Sequence, residues 1–557
     1  MLLFRVFSIP VRFFIALLIY FSWGPLAGGV VTAPVPEFSS PALIPYPSKV
    51  VRGAGEAGFR SVHVKVGPDV PGRDDLMREI KDIFRTSGIQ GSLNSGRAAE
   101  GAMTWELFPD ARMKGEGYDL SVGLGKATVR AGSFGGFFNA LQTLRQLVFN
   151  REGEFAMPVV RISDKPAFVL RGIMLDVGRY YMSPALIKEV MRRLSRYKIN
   201  TLHLHLTDDP AWRMEVKKYP ALTDGAFHWK SRLPGRFYTQ AQLKDLTDYC
   251  ARLNIQVIPE IDMPGHSQPF ARAMKTGMQT EKGVSILKDV VDEAVSLFPG
   301  RFFHMGSDEA HISMKDFIPR MAEHIRGKGK EVVVWSPGGP HDKDSVLMCW
   351  GENEAGARMD KNMKRIDSNG FYIDWADSQS GVYQVFFQQP CEVPQGDDKA
   401  LGAIMPVWCD GNLSSERRVL EQYPFYPCAL TFAERVWRGS ATKRRDYMAQ
   451  LPPRGTDGWK EFREFEQRLA FHRDHFFQGV PFAYVKQADV AWSLVGPFDH
   501  RGKNDTSFEP ERRIAPSYRD GDRILAWKKT PVYGAAVHVR HLFAMFNMHR
   551  NQYRTDH

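Results

Sequence analysis

Cysteine is scarce in this chain, with 5 in 557 residues. Cys250, Cys349, Cys391, Cys409 and Cys428 stand far apart and form no Cys-x-x-Cys pair, so zinc-finger, thioredoxin-like and disulfide-scaffold classes are excluded. Isolated buried thiols are expected, with one disulfide between two of the last three as the alternative. Long basic runs are missing too. The formal net charge is +11, yet the positive residues are scattered and cluster only briefly, as at Lys443-Arg444-Arg445. No nucleic-acid footprint follows; the charge is compatible with acidic glycans as partners. There is no low-complexity tract, and 43% hydrophobic with 25% charged residues is the balance of an ordinary globular protein. No Gly-rich phosphate turn follows the first strand of the strand–helix region, which weighs against a doubly wound dinucleotide fold. Beyond residue 30 no segment has the look of a membrane-spanning helix.

What the chain does have begins at residues 1–28. Arg5 and Arg12 lead into an apolar run over 13–21, followed by Gly24, Pro25 and small residues. That is the order of a secretory signal, and the run is short for a membrane span. An uncleaved anchor is the alternative; the absence of Cys from 27–33 argues against a lipoprotein. The expectation is a secreted or periplasmic protein without a membrane span after signal removal.

Composition then divides the rest. After a Pro-rich link, residues 36–165 mix alternating strands (63–66, 118–122) with a helical pattern over 137–147, which reads as a small α+β domain. From 166 to 480 strands and helices alternate. Strands are expected at 169–176, 200–207, 255–260, 302–306, 331–335, 346–350, 365–373 and 401–409. Helices are expected at 184–197, with Ser183 as N-cap and Pro184 first inside, and at 241–253. Eight such units fit a (β/α)8 TIM barrel. Residues 481–557, with Trp492 and Gly496-Pro-Phe-Asp499, read as a β-rich segment, short for a sandwich of about 100 residues and possible as an incomplete or supporting module.

Chemistry gathers at the predicted strand ends. Arg301-Phe-Phe-His-Met-Gly-Ser-Asp308-Glu309-Ala-His311 is an apolar run broken by Gly-Ser and followed by two adjacent acids. In a parallel barrel such residues emerge at the carboxyl face, where active sites are built. Other strands end in Asp176-Val-Gly-Arg179, in His205-Leu-Thr-Asp208-Asp209 before Trp212, and in Glu260-Ile-Asp262-Met-Pro-Gly-His266. Further ends are Trp335, Trp350, Tyr372-Ile-Asp374-Trp375 and Trp408-Cys-Asp410. Taken singly, each is as well explained as core or a structural ion pair. Converging on one face, they describe a hollow walled by aromatics and rimmed by hydrogen-bonding groups, which suits a saccharide.

Four of these stretches also carry a resemblance. Arg171-Gly-Ile-Met-Leu-Asp-Val-Gly-Arg179, His203-Leu-His-Leu-Thr-Asp-Asp209 with Trp212-Arg213, Pro259-Glu-Ile-Asp-Met-Pro-Gly-His266 and His304-Met-Gly-Ser-Asp-Glu309 resemble glycoside hydrolase family 20, the β-N-acetylhexosaminidases. The resemblance covers about residues 40–480, including the leading domain. It implies hydrolysis of terminal β-linked N-acetylglucosamine or N-acetylgalactosamine from glycans, with no cofactor and no metal. Adjacent acids cannot straddle a sugar as the paired carboxyls of an ordinary retaining glycosidase do. They can help a substrate that brings its own acetamido nucleophile. Glu309 would then be general acid and base, and Asp308 would stabilise the acetamido group of an oxazolinium intermediate, its charge also keeping Glu309 protonated.

Further roles are implied by position in the family. Tyr372 matches the group that hydrogen-bonds the acetamido oxygen; Trp335, Trp350 and Trp408 match the aromatic box. Arg179 and Asp374 match holders of ring hydroxyls, and Asp208, His266 and Asp262 a supporting network. Two departures stand out: Ser307 replaces the usual Gly before the acids, and Asp410 replaces a Glu. The shorter carboxylate could shift preference between gluco and galacto epimers or admit a 6-substituted sugar. Two other readings remain open: a metal-dependent hydrolase built on His203 and His205, and a carbohydrate-binding protein without catalysis. Exo against disaccharide-releasing action is also open, since residues 210–238 could shape either pocket.

Overall fold

The computed structural model of the chain describes residues 41–94, 98–151, 154–351, 359–373, 380–411, 413–422, 424–440, 452, 455–482, 484, 518–520 and 523–525. The expected signal at 1–28, most of 481–557 and Asp374 lie outside the described residues.

The leading part is a mixed sheet. Strands β1 (Lys49–Phe59), β2 (Ser61–Val66), β3 (Gln90–Leu93), β4 (Ala102–Pro109), β5 (Tyr118–Gly123), β6 (Lys126–Ala131) and β8 (Glu154–Asp164) pair in the order β1-β8-β5-β6-β4-β2-β3, and β7 (Phe149–Arg151) adds to β8. In β5 every second residue, Tyr118, Leu120 and Val122, is buried, as expected of a sheet with one covered face. Helix α1 (Arg73–Ser87) lies against α2 (Phe134–Leu147), and α2 crosses β5 and β6. Ser133 caps α2 by accepting the Gly136 N–H at 3.0 Å. The helix is buried from Gly135 to Leu147 because its far side meets the barrel, where Gln146 reaches the Arg196 carbonyl.

The next part is the barrel. Strands β9 (Leu170–Asp176), β10 (Thr201–His205), β13 (Gln256–Glu260), β14 (Phe302–His304), β15 (Glu331–Ser336), β16 (Val346–Cys349), β17 (Lys364–Asp367) and β18 (Ala400–Val407) close in that order, all parallel, with β18 returning to β9. A short pair, β11 (Thr207–Asp208) and β12 (Ala211–Trp212), follows β10. Helices α3 (Pro184–Ser195), α4 (Gln240–Ala251), α5 (Gln268–Met274), α6 (Glu281–Leu297), α7 (Phe317–Gly327), α8 (Ser380–Phe387), α9 (Arg418–Gln422), α10 (Phe425–Arg438) and α11 (Asp457–Phe476) complete it. The expected N-cap of α3 is present: Ser183 accepts the Leu186 N–H. No helix lies among residues 337–345 between β15 and β16. Two further strands, β19 (Tyr518–Asp520) and β20 (Arg523–Leu525), pair antiparallel.

Barrel strands are buried on both faces, which is why β9, β10 and β18 are continuous buried runs. Alternation separates two layers. Met174, Ile258, Phe302, Val333, Met348, Ile366 and Ile404 fill the lumen, while Leu202, Val257, Phe303, Val332, Val334 and Leu347 pack outward. One expectation fails here. The strand placed at 365–373 stops at Asp367, and Phe371 and Ile373 are buried in the loop beyond it. All five cysteines are buried thiols, and no disulfide joins them. Among the described residues no helix is long and apolar enough to cross a membrane.

Candidate active site

At the end of β14 the chain turns sharply. Gly306 has φ +66°, and a Cβ there would stand 1.8 Å from Asp262 Oδ1, so only glycine fits. Ser307 at φ +86° and Glu309 at φ +49° are also left-handed. These turns hold Asp308 half-buried and leave Glu309 exposed. The Ser307 carbonyl accepts the Gly339 N–H at 2.5 Å, which brings the loop after β15 against Asp308. The Ser307 hydroxyl is buried and has no hydrogen-bond partner among the described residues.

From Glu309 a polar chain runs across the barrel mouth. Glu309 Oε2 is 3.3 Å from His266 Nε2, and His266 Nδ1 is 3.6 Å from Asp208 Oδ1. Asp208 also meets His205 Nε2 and Arg179 Nη2, each at 3.0 Å. Arg179 continues to Asp176 at 3.2 Å and Asp410 at 3.1 Å. Burial works against the charge on Arg179, but Asp176, Asp208 and Asp410 outweigh it and raise its pKa. His266 is pushed up to about 9: burial opposes its charge, and Glu309, Asp208 and Asp262 overcome it.

The two acids are held in opposite senses. The His266 hydrogen bond lowers Glu309, so its carboxylate is ionised in this state. Burial, then Asp262 and Glu260, pushes Asp308 up to about 8. The expectation that Asp308 would keep Glu309 protonated is therefore not met: the His266 hydrogen bond moves Glu309 most, and it favours the carboxylate.

Aromatic residues cluster beside this chain, Trp350, Tyr372 and Trp408 half-buried and Trp335 buried beneath them. Trp408 lies 5.8 Å from Trp335 and 6.3 Å from Tyr372, ring centre to ring centre, and the Arg179 guanidinium sits 4.9 Å over Trp408. Trp350 donates its indole N–H to the Pro337 carbonyl at 2.8 Å, in the turn that packs on Asp308. Every expected residue that the structure describes thus falls on this face. Asp410 places one carboxylate oxygen against Arg179.

Beneath this cluster is a group that the sequence reading passed over. Glu260 is fully buried and accepts from His205 Nδ1 and from the Trp335 indole, both at 2.7 Å. His203 Nε2 is 2.8 Å away and stacks on His304. Period-two alternation from lumen-facing Ile258 could have pointed to Glu260. Three donor atoms could meet at His203, Glu260 and His304, at His205, Glu260 and Asp262, at Asp208, Asp209 and His266, or at Asp262, His266 and Asp308. In the first group His304 Nδ1 accepts the Gly306 N–H and Glu260 is bonded to His205 and Trp335, whereas both ring nitrogens of His203 and Nε2 of His304 are buried without a hydrogen-bond partner among the described residues.

The segment 210–238 is fixed over the same rim by two arginines. Buried Arg213 donates to the carbonyls of Val177 and Gly178, beside Arg179, and to those of Arg232, Leu233 and Arg236 within the segment. Arg232 donates to the carbonyls of Cys409, at 2.8 Å, and Gly411, at 2.9 Å, and also to that of Asp410.

Comparison with known proteins accords with this architecture. The model of glycosyl hydrolase family 20, catalytic domain, matches residues 168–283, and that of domain 2 of the family matches residues 40–165. A β-hexosaminidase of Porphyromonas gingivalis is 31% identical over 408 residues, which span 59% of this chain but only 52% of that one. A β-N-acetylhexosaminidase of Cellulomonas fimi is 30% identical over 444 residues, 70% of this chain and 84% of that one. The solved structure of the family 20 β-N-acetylhexosaminidase of Streptomyces coelicolor shares the fold, with TM-score 0.67 at 23% identity over 80% of this chain and 98% of that one. With both domains matched in series and a relative covered over most of its length, the chain belongs to glycosyl hydrolase family 20.

Proposed function

We propose that this protein removes terminal, non-reducing β-linked N-acetylhexosamine from glycans, the substrate's acetamido group acting as nucleophile. The observation that carries this is the tip of β14, where neighbouring acids stand beside half-buried Trp408 and Tyr372, with Trp335 buried beneath them. The relatives above bear the names of β-hexosaminidases, and that activity enters here as part of the proposal.

In this reading the acetamido carbonyl oxygen attacks C1 as the C1–O bond breaks, and Glu309 gives its proton to the leaving oxygen. The resulting oxazolinium ion carries positive charge near its N–H, which donates to Asp308. Water then attacks C1, Glu309 takes its proton, and the amide is restored with configuration retained. Glu309 can be supplied from the resting pair: charged His266 with ionised Glu309 holds the same number of protons as neutral His266 with protonated Glu309. Trp350 and Trp408 would stack on the sugar above Trp335 as the floor of the aromatic box, Tyr372 would bond the acetamido oxygen, and Arg179, Asp374 and Asp410 would hold ring hydroxyls.

The test is turnover of a chromogenic N-acetyl-β-glucosaminide and of the matching glucoside. Glu309→Gln should lower kcat by about 10²–10⁴-fold, and Asp308→Asn should do so on the N-acetyl substrate. Equal rates on the substrate without the amide, or an active Asp308→Asn protein, would overturn the proposal. Activity abolished by a chelator would favour the metal-dependent alternative.

A further inference from the structure

We propose that Glu260 is a positioning residue for this reaction, a single buried carboxylate that orients both the tryptophan floor and the inner end of the polar chain. The inference rests on the function proposed above. One oxygen, Oε1, accepts the Trp335 indole N–H at 2.7 Å; the other, Oε2, accepts from His205 Nδ1 at 2.7 Å. His205 passes the constraint on through Nε2, 3.0 Å from Asp208, which in turn meets Arg179 and His266. Two parts of the site, on β15 and after β10, are therefore referred to the same atom group on β13.

Charge makes the arrangement more than a strut. His205 is fully buried, and burial disfavours its proton, but Glu260 and Asp208 raise its pKa well above the ordinary value. His304 is driven down to about 3, chiefly by burial and by the other histidines, so it faces Glu260 neutral. The centre thus sets the Glu260 carboxylate against the His205 imidazolium, with His203 packed alongside. Above it, Asp262 and Asp308 both feel Glu260 as a like charge, while His266 and Glu309 face Asp308 from the rim.

Opposite charges on neighbouring elements give a test with opposite signs. Glu260→Gln keeps an oxygen for the Trp335 indole and can donate to a neutral His205, so the folded arrangement is expected to survive. It removes a like charge from Asp308, and the acid limb of kcat/KM should move about one unit lower. His205→Gln leaves Glu260 uncompensated, and the limb should move higher. Glu260→Ala frees both arms, and KM should rise about tenfold or more over that of Glu260→Gln. Carboxyl carbon NMR of Asp308 in the wild-type chain and both Gln variants reads the same order without turnover. An inactive wild-type protein would overturn the proposed function, and the NMR titration would still decide this inference. Acid limbs and Asp308 titrations unmoved, or moved the same way in both variants, would overturn it, as would equal KM in Glu260→Ala and Glu260→Gln.

Discussion

Ser307 sits at φ +86° with a buried hydroxyl that finds no partner among the described residues, directly before the two acids. Both features cost stability: left-handed backbone costs an L-residue roughly 1–2 kcal/mol, and a stranded polar atom adds to it. Ser307→Gly should therefore stabilise the fold by about 1 kcal/mol after the extra unfolded-state entropy of glycine. Urea unfolding is the measurement; a midpoint that falls, at unchanged slope, would contradict the argument. A second expectation concerns pH. Asp308 is pushed up to about 8, and ionised Asp308 is the form that accepts the acetamido N–H, so kcat/KM should decline with acidification well above the usual aspartate range. A decline only near pH 4 would show that neighbouring charges do not govern it. The acids themselves were legible in the sequence as an unusual pair after an apolar run. Their protonation order was not, because Asp308 is raised by burial and by Asp262 and Glu260, and Glu309 is lowered by His266, which lies 43 residues from it in the chain and is aimed by its own left-handed backbone.

At the level of elements, doubly buried parallel strands announced themselves as apolar runs, and the Ser-Pro start of α3 was equally plain. Elsewhere tertiary context misled. Phe371 and Ile373 flank Tyr372 in an apolar stretch that reads as strand, yet they lie in the loop beyond β17, so the strand looked longer than it is. In the leading sheet β1 is largely exposed and lacks alternation, which hides a strand of eleven residues. Glu260 needed register as well as pattern, since its value lies in facing His205 across β10 and β13. The segment 210–238 makes its own prediction. Arg232 ties it to the main chain around Asp410 through charged hydrogen bonds worth about 1.5–3 kcal/mol. Arg232→Ala should raise KM about tenfold with kcat nearly unchanged, and thermolysin should cut within the segment sooner while the barrel's thermal transition stays in place. Unaltered KM and cleavage would mean the tie does not shape the site.

Across the whole molecule, carboxylates of the leading part join it to the barrel. Asp164, at the end of β8, accepts from Ser48, from the Tyr118 hydroxyl at 2.8 Å, from Lys198 at 3.0 Å and from the Trp437 indole at 3.0 Å. Glu79 and Asp82 on α1 meet Arg192 on α3, and Glu116 meets Arg171 on β9. Removing one member of a buried pair leaves the other uncompensated, so Asp164→Ala should cost about 3–5 kcal/mol. Calorimetry should show the single transition lowered or split in two; an unchanged transition would mean that Asp164 does not hold the two parts together. The seam also constrains how such a protein can be cut or recombined. A barrel expressed from residue 165 onward would carry Lys198, Arg171 and Arg192 with their counter-ions gone, and grafting a foreign leading domain would require acids at the same places. The two parts are therefore expected to be inherited, exchanged and engineered as a pair.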